Sequence, residues 1–318
     1  MKKVFSIVLA MVMAFALTAC KGENAAKGTL TVGVIQLAQH PSLDEIYAAF
    51  EKQLNEEATK AGITVKIDYQ NGQGDPTNIN TICQKFVGDK VDAIVAIATP
   101  AAQGAAAAAE GSNIPIVFSA VTDPVEAQLV MNPSAPEGNI TGTSDAIPVD
   151  KIFALAKELT PNVKSFGIVY NMGEPNSVVV VEQAKKYLAD NGITLEESPI
   201  TASGEVQMAA KNLSGKCDAI FVPIDNMVAN AMPVLAQEAI AKGKPVYAAA
   251  DSLVRDGALA SVGVNYTNLG KKTADMLIKV LQGTAIKDIP VEILSDNAVV
   301  VNADTAKALN IDVSKYNK

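Results

Sequence analysis

The chain has 318 residues, 49% of them hydrophobic, with a formal net charge of −8, one histidine, three cysteines and no tryptophan. That acidic balance excludes a nucleic-acid backbone as partner, because such binders cluster Lys and Arg. A single histidine and the lack of paired Cys-x-x-Cys motifs exclude His-rich and finger-type metal sites.

In chain order, Met1-Lys2-Lys3 precedes an apolar run from Val4 to Leu17 and then Leu17-Thr18-Ala19-Cys20. Two lysines, a short greasy stretch and small residues before a cysteine have the layout of a secretory signal. The run is shorter than the ~20 residues a spanning helix needs. Leu-Thr-Ala-Cys resembles the bacterial lipobox, so residues 1–19 are expected as a signal peptide and Cys20 as the lipid-bearing residue. Residues 20–28 are small and polar and suit an anchored tether. Cys83 and Cys217 fall in corresponding halves and are expected as separate, buried free thiols.

The rest of the chain is written twice. Val/Ile-rich runs at 31–36, 62–68, 91–97 and 114–118 are matched by runs at 165–170, 192–195, 217–222 and 244–247. Gly33, Gly62, Asp92 and Pro115 correspond to Gly167, Gly192, Asp218 and Pro245. Runs without alternation suit strands buried on both faces. Between them Leu43, Ile46, Phe50 and Leu54, and later Ala184, Tyr187 and Leu188, recur at helical spacing. The alanines 105–109 suit a helix packed closely on a sheet. Strand alternating with helix predicts α/β architecture, as two doubly wound parallel-sheet lobes. Residues 260–264, 269–281, 291–294 and 298–301 add too few elements for a third lobe. The expected division is 29–143 plus 266–294 for lobe one and 144–265 plus 295–318 for lobe two. Crossings near Thr143, Asn265 and Ser295 would make a three-strand hinge that permits closure on a ligand.

Ligands of open α/β sheets bind beyond the carboxyl ends of the strands. In lobe one those ends carry Gln36, His40 and Ser42, then Thr99 and Ala101, then Ser119, Thr122 and Asp123. Ser42 with Glu45 reads as a capping box, Thr99-Pro100 as a cap followed by proline, and Asp123-Pro124 as the same grammar. Three helix starts would then face one crevice, with amides suited to a carboxylate. The other side offers Asp145, Asn171, Asp225, Asn226 and Asp251, acids and amides suited to a cation. Together they fit an amino-acid zwitterion.

Catalysis is not indicated, and no cofactor is expected. Gly72-Gln-Gly74 fails the dinucleotide fingerprint, and Gly270-Lys-Lys-Thr273 fails the phosphate loop. Gly142-Thr-Ser-Asp-Ala146 fails the nucleophile elbow. His40 has no sequence neighbour that would make a triad.

The segments His40-Pro-Ser-Leu-Asp44, Ala98-Thr-Pro-Ala-Ala-Gln103, Val121-Thr-Asp-Pro124, Asn139-Ile-Thr-Gly142, Val222-Pro-Ile-Asp-Asn226 and Gly257-Ala-Leu-Ala-Ser261 resemble those of ABC-transporter substrate-binding proteins of the TrpX-like group. The resemblance spans nearly the whole chain past the leader. It implies a type I periplasmic-binding-protein fold, a permease and an ATPase as partners, and aromatic amino acids as ligands. It also implies cleft roles for Ser42, Thr99, Ala101, Thr122, Asp123, Asp225, Asn226 and Asp251. The expectation is therefore a monomeric, extracytoplasmic, lipid-anchored receptor for an aromatic or hydrophobic amino acid. The alternatives are a sensing domain for a signalling partner and a binder of a sugar or nucleoside.

Overall fold

A computed structural model describes residues 28–294 and 298–316. The leader, Cys20, most of the tether and Ser295 lie outside those residues.

Each lobe is a six-stranded sheet. Strands β1 (Leu30–Gln36), β2 (Val65–Asn71), β3 (Ala93–Ile97), β4 (Ile116–Ser119) and β5 (Ile140–Ser144) form the first sheet, all parallel. Strands β6 (Ser165–Asn171), β7 (Thr194–Ile200), β8 (Ala219–Val222), β9 (Val246–Ala250) and β10 (Ala260–Val264) form the second. The late strand β11 (Glu292–Ile293) extends the first sheet beside β5, and β12 (Ala298–Val301) extends the second as its one antiparallel member. The orders are β11-β5-β4-β3-β1-β2 and β12-β10-β9-β8-β6-β7, one winding used twice. The chain passes between sheets after β5, after β10, and between β11 and β12.

Helices α1 (Pro41–Ala61), α2 (Pro76–Gly88) and α3 (Thr99–Ala108) cover the first sheet. Helices α4 (Val149–Leu159), α5 (Pro175–Asp190), α6 (Val206–Lys216), α7 (Asn226–Asn230), α8 (Met232–Ala241) and α9 (Asp251–Arg255) belong to the second lobe. Helix α10 (Tyr266–Leu281) returns to pack along α1, and α11 (Ala303–Leu309) follows β12. The stripe Leu43, Ile46, Phe50 and Leu54 is fully buried, as its spacing requires. Both free thiols, Cys83 and Cys217, are buried.

The repeated residues repeat their physical jobs. A Cβ on Gly33 would strike the Phe86 ring of α2 at 2.7 Å, and one on Gly167 would strike Leu213 of α6 at 2.9 Å. Gly62 and Gly192 both turn the chain at positive φ, 66° and 67°. Asp92 accepts from the Thr31 amide, and Asp218 from the Lys164 and Ser165 amides, fixing the mouth of each first strand. The carbonyls of Pro115 and Pro245 accept from Ile94 and Ile220 at 2.9 and 3.0 Å. The edge strands β2 and β7 carry Lys66, Asp68, Glu196 and Glu197, charges that discourage further pairing.

Three capping expectations are corrected. His40 occupies the cap position of α1 in extended conformation, so Ser42 already lies inside the helix and no Ser42–Glu45 capping box forms. Ala98 precedes α3 at φ 83°, leaving Thr99 as its first helical residue, not its cap. No α-helix follows Asp123. Its carboxylate accepts from the Val125 and Glu126 amides, both at 3.0 Å, but Gln128 at φ 58° stops the turn from propagating.

Helix α10 approaches α1 so closely that a Cβ on Gly270 would lie 2.3 Å from the Ile46 carbonyl oxygen. Backbone cannot yield as a side chain does, so Gly270→Ala is expected to destabilise the protein by about 1–3 kcal/mol. Urea denaturation checks this, and an unchanged midpoint would contradict the packing.

Candidate binding cleft between the lobes

Parallel strands all end at one edge, so the two windings aim their carboxyl ends and following helix starts at each other. Between them lies a narrow cleft. Lobe one lines it with His40, Ser42, Leu43, Ala98, Thr99 and Ala120. Lobe two contributes Asn176, Ile224, Asp225, Asn226, Ala229, Ala250 and Leu253, while Asp145 and Tyr266 stand at two of the crossings. Both lobes mix polar and aliphatic side chains along the cleft.

Six residues singled out from the sequence meet here: His40, Ser42, Thr99, Asp145, Asp225 and Asn226. Asp123 lines a groove beside Thr99, and Asn171 lines a wider groove that Asn226 also borders. The other five lie behind these walls. Gln36 is buried and donates to Asp44 of α1 at 2.7 Å, and Ala101 is buried in α3. The Ser119 hydroxyl pairs with that of Thr273 at 2.8 Å. Thr122 donates to Asp145 at 3.0 Å, and Asp251 pairs with Arg255 at 3.1 Å.

Two alanines at strand ends shape lobe one's wall. Ala98 (φ 83°, ψ 153°) and Ala120 (φ 56°) occupy backbone regions that favour glycine. Nothing in their identity signals this. The turn at Ala98 directs the start of α3 at the cleft, where its first amides have no intrahelical acceptor. The Thr99 hydroxyl is buried and lacks a hydrogen-bond partner, as does His40 Nδ1.

Lobe two's acids are organised from within. Asp225 accepts from the Asn171 amide at 2.6 Å, Ser177 Oγ at 2.7 Å and the Val228 amide at 2.9 Å, capping α7 and fastening it to β6. Burial, reinforced by neighbouring Glu174, raises its pKa. Glu174, at the end of the Asn171–Glu174 strand exit but not among the candidate site residues, gathers with its carboxylate the Asn226 and Met227 amides and two asparagine side chains. Asp145 accepts one bond from Thr122 and one from Tyr266 Oη, at 3.0 and 3.2 Å. Burial pushes its pKa up to about 6 despite both bonds.

The lobes touch across the cleft. His40 Nε2 lies 3.1 Å from Asn226 Oδ1, and the Ser42 and Ser252 hydroxyls are 2.6 Å apart. Arg255 of α9 pairs with Glu45 of α1, which also accepts from the Thr267 amide and hydroxyl. Glu45 and Arg255 were not among the sequence candidates, because nothing local marks a pair 210 residues apart.

Two facing lobes with a polar cleft define a solute-binding protein of the type I periplasmic fold. A family model of ABC transporter substrate binding proteins matches residues 31–316, and the chain belongs to that family. It is a binding protein rather than an enzyme, and proteins of this kind work outside the cytoplasm. It is 40% identical over 322 residues to a tyrosine-binding protein of Clostridioides difficile, covering 98% of this chain and 93% of that one. An ABC domain from Streptococcus pneumoniae in complex with L-Trp superposes with a TM-score of 0.85 at 38% identity, over 90% of this chain and 96% of that one. The ligand-free, open structure of a Clostridium difficile substrate-binding protein with adhesive properties gives 0.69 at 42% identity, over 89% and 96%. The fit is better to the complex although the identity is lower, in keeping with lobes that touch across the cleft.

The raised pKa of Asp145 has a consequence for stability. Its charged form is disfavoured in the fold, so its contribution is most favourable below the unfolded value of about 4 and declines until the pH passes about 6. Relative to Asp145→Asn, the wild type is expected to lose roughly 2–3 kcal/mol across that window. Parallel pH profiles of denaturant unfolding check this, and superimposable profiles would contradict it.

Proposed function

We propose that the chain is the lipid-anchored receptor of an ABC importer and binds an aromatic L-amino acid between its lobes. The carrying observation is the polarity of the cleft. A helix start with a partnerless buried hydroxyl, Thr99, and a buried carboxylate, Asp145, border one narrow space that aliphatic side chains of both lobes also line. The ligand's carboxylate would take the Thr99 hydroxyl and the first amides of α3, including that of Ala101. Its ammonium would meet Asp145, and its ring would lie along Leu43, Ile224, Ala229, Ala250 and Leu253. Asp225 and Glu174 would act by holding α7 and Asn226 in place. The tyrosine-binding protein and the L-Trp complex among the similar proteins support an aromatic ligand. The lipobox-like Leu17–Cys20 supports an anchor, and family membership supports delivery to a permease with its ATPase. Monomeric action also belongs to this reading.

Isothermal calorimetry against the twenty amino acids, simple sugars and nucleosides tests the ligand class. Binding confined to tyrosine, tryptophan or phenylalanine is expected, and a preference for a sugar or nucleoside would contradict it. Thr99→Val keeps the shape and removes the free hydroxyl, so affinity is expected to fall about tenfold with the melting temperature nearly unchanged. A proton competes with the ammonium for Asp145, so affinity is expected to fall as the pH drops below about 6. Affinity that stays flat down to pH 4.5 would contradict the Asp145 contact.

A further inference from the structure

His40 is the chain's one histidine, and hydrogen bonding across the cleft fixes the state of its ring. Glu174 collects four N–H donors: the Asn226 amide at 3.1 Å, the Met227 amide at 3.2 Å, Asn176 Nδ2 at 3.1 Å and Asn226 Nδ2 at 2.5 Å. A carboxylate offers only acceptors, so the Asn226 side chain must face it with nitrogen. Turned over, its oxygen would press against a Glu174 oxygen. Asn226 Oδ1 is thereby left toward His40 Nε2 at 3.1 Å, and only an N–H on Nε2 can satisfy it. Burial lowers the pKa of His40, outweighing the Asn226 bond and the charges of Glu174, Asp44 and Asp256, which pull the other way. A neutral ring has one N–H, so Nδ1 is a bare acceptor. That atom is buried and has no partner, in a ring 4% exposed that lines the cleft beside Leu43 and Leu253.

We propose that His40 Nδ1 accepts a hydrogen bond from a donor on the ligand's ring, a phenol O–H or an indole N–H, so that the site selects tyrosine and tryptophan over phenylalanine. This rests on the aromatic amino-acid reading above. A neutral imidazole nitrogen suits a neutral donor, whereas the ammonium is better matched to the Asp145 carboxylate. A site with a buried acceptor also rejects an analogue that leaves it unpaired. Asn226 and Glu174 act through His40, as positioning residues.

With one histidine, ¹⁵N-labelled protein gives a single, unambiguous pair of ring-nitrogen resonances. Saturated with L-tyrosine or L-tryptophan, the ring is expected to be neutral and protonated at Nε2, with the Nδ1 resonance shifted in the direction of an accepted hydrogen bond. L-phenylalanine is expected to leave Nδ1 without that shift and to bind about tenfold more weakly. In His40→Phe the preference is expected to collapse toward one. A ring protonated at Nδ1, an equal Nδ1 shift with all three ligands, or a preference that survives in His40→Phe would overturn the proposal. Binding of all three with Nδ1 unmoved would sink the histidine contact alone. Binding of none would sink the aromatic reading and this proposal with it.

Discussion

Everything at the cleft depends on one geometric constraint. In a parallel sheet all strands end on the same edge, and the helices that follow begin there with amides lacking acceptors. Two sheets of the same order, β5-β4-β3-β1-β2 and β10-β9-β8-β6-β7, turn those edges toward each other. Polar groups thus gather where the lobes meet, while the aliphatic cores stay behind them. Closure buries these groups together, and most find partners in the opposite lobe or behind the wall. Among the cleft-lining side chains, Thr99 Oγ1, His40 Nδ1 and Asn176 Oδ1 find none.

The duplication was legible because it is enforced locally. Gly33 and Gly167 each make room for a helix side chain, Gly62 and Gly192 turn at positive φ, and Asp92 and Asp218 each tie down a strand start. A different residue at any of these positions would disturb its own lobe, so the sequence must spell them out twice. The strand runs carried the same message through their lack of alternation. The fold class followed from those residues alone.

The cleft was legible only in part. His40, Ser42, Thr99, Asp145, Asp225 and Asn226 were reachable because strand ends are easy to find. The cap assignments failed because the chain enters α1 and α3 through His40 and Ala98, neither of which has capping chemistry. Removed from that duty, Ser42 reaches Ser252 across the cleft and the Thr99 hydroxyl is left without a partner. Glu174, Tyr266 and the Glu45–Arg255 pair escaped because their partners are distant in sequence or belong to the other lobe. No periodicity encodes such contacts.

The central claim is that the two lobes close around a solute. Small-angle X-ray scattering of the protein before and after saturation with L-tyrosine tests it most directly. The account predicts a fall in the radius of gyration to the value calculated for the closed lobes described here. Saturable binding with an unchanged scattering profile would contradict it.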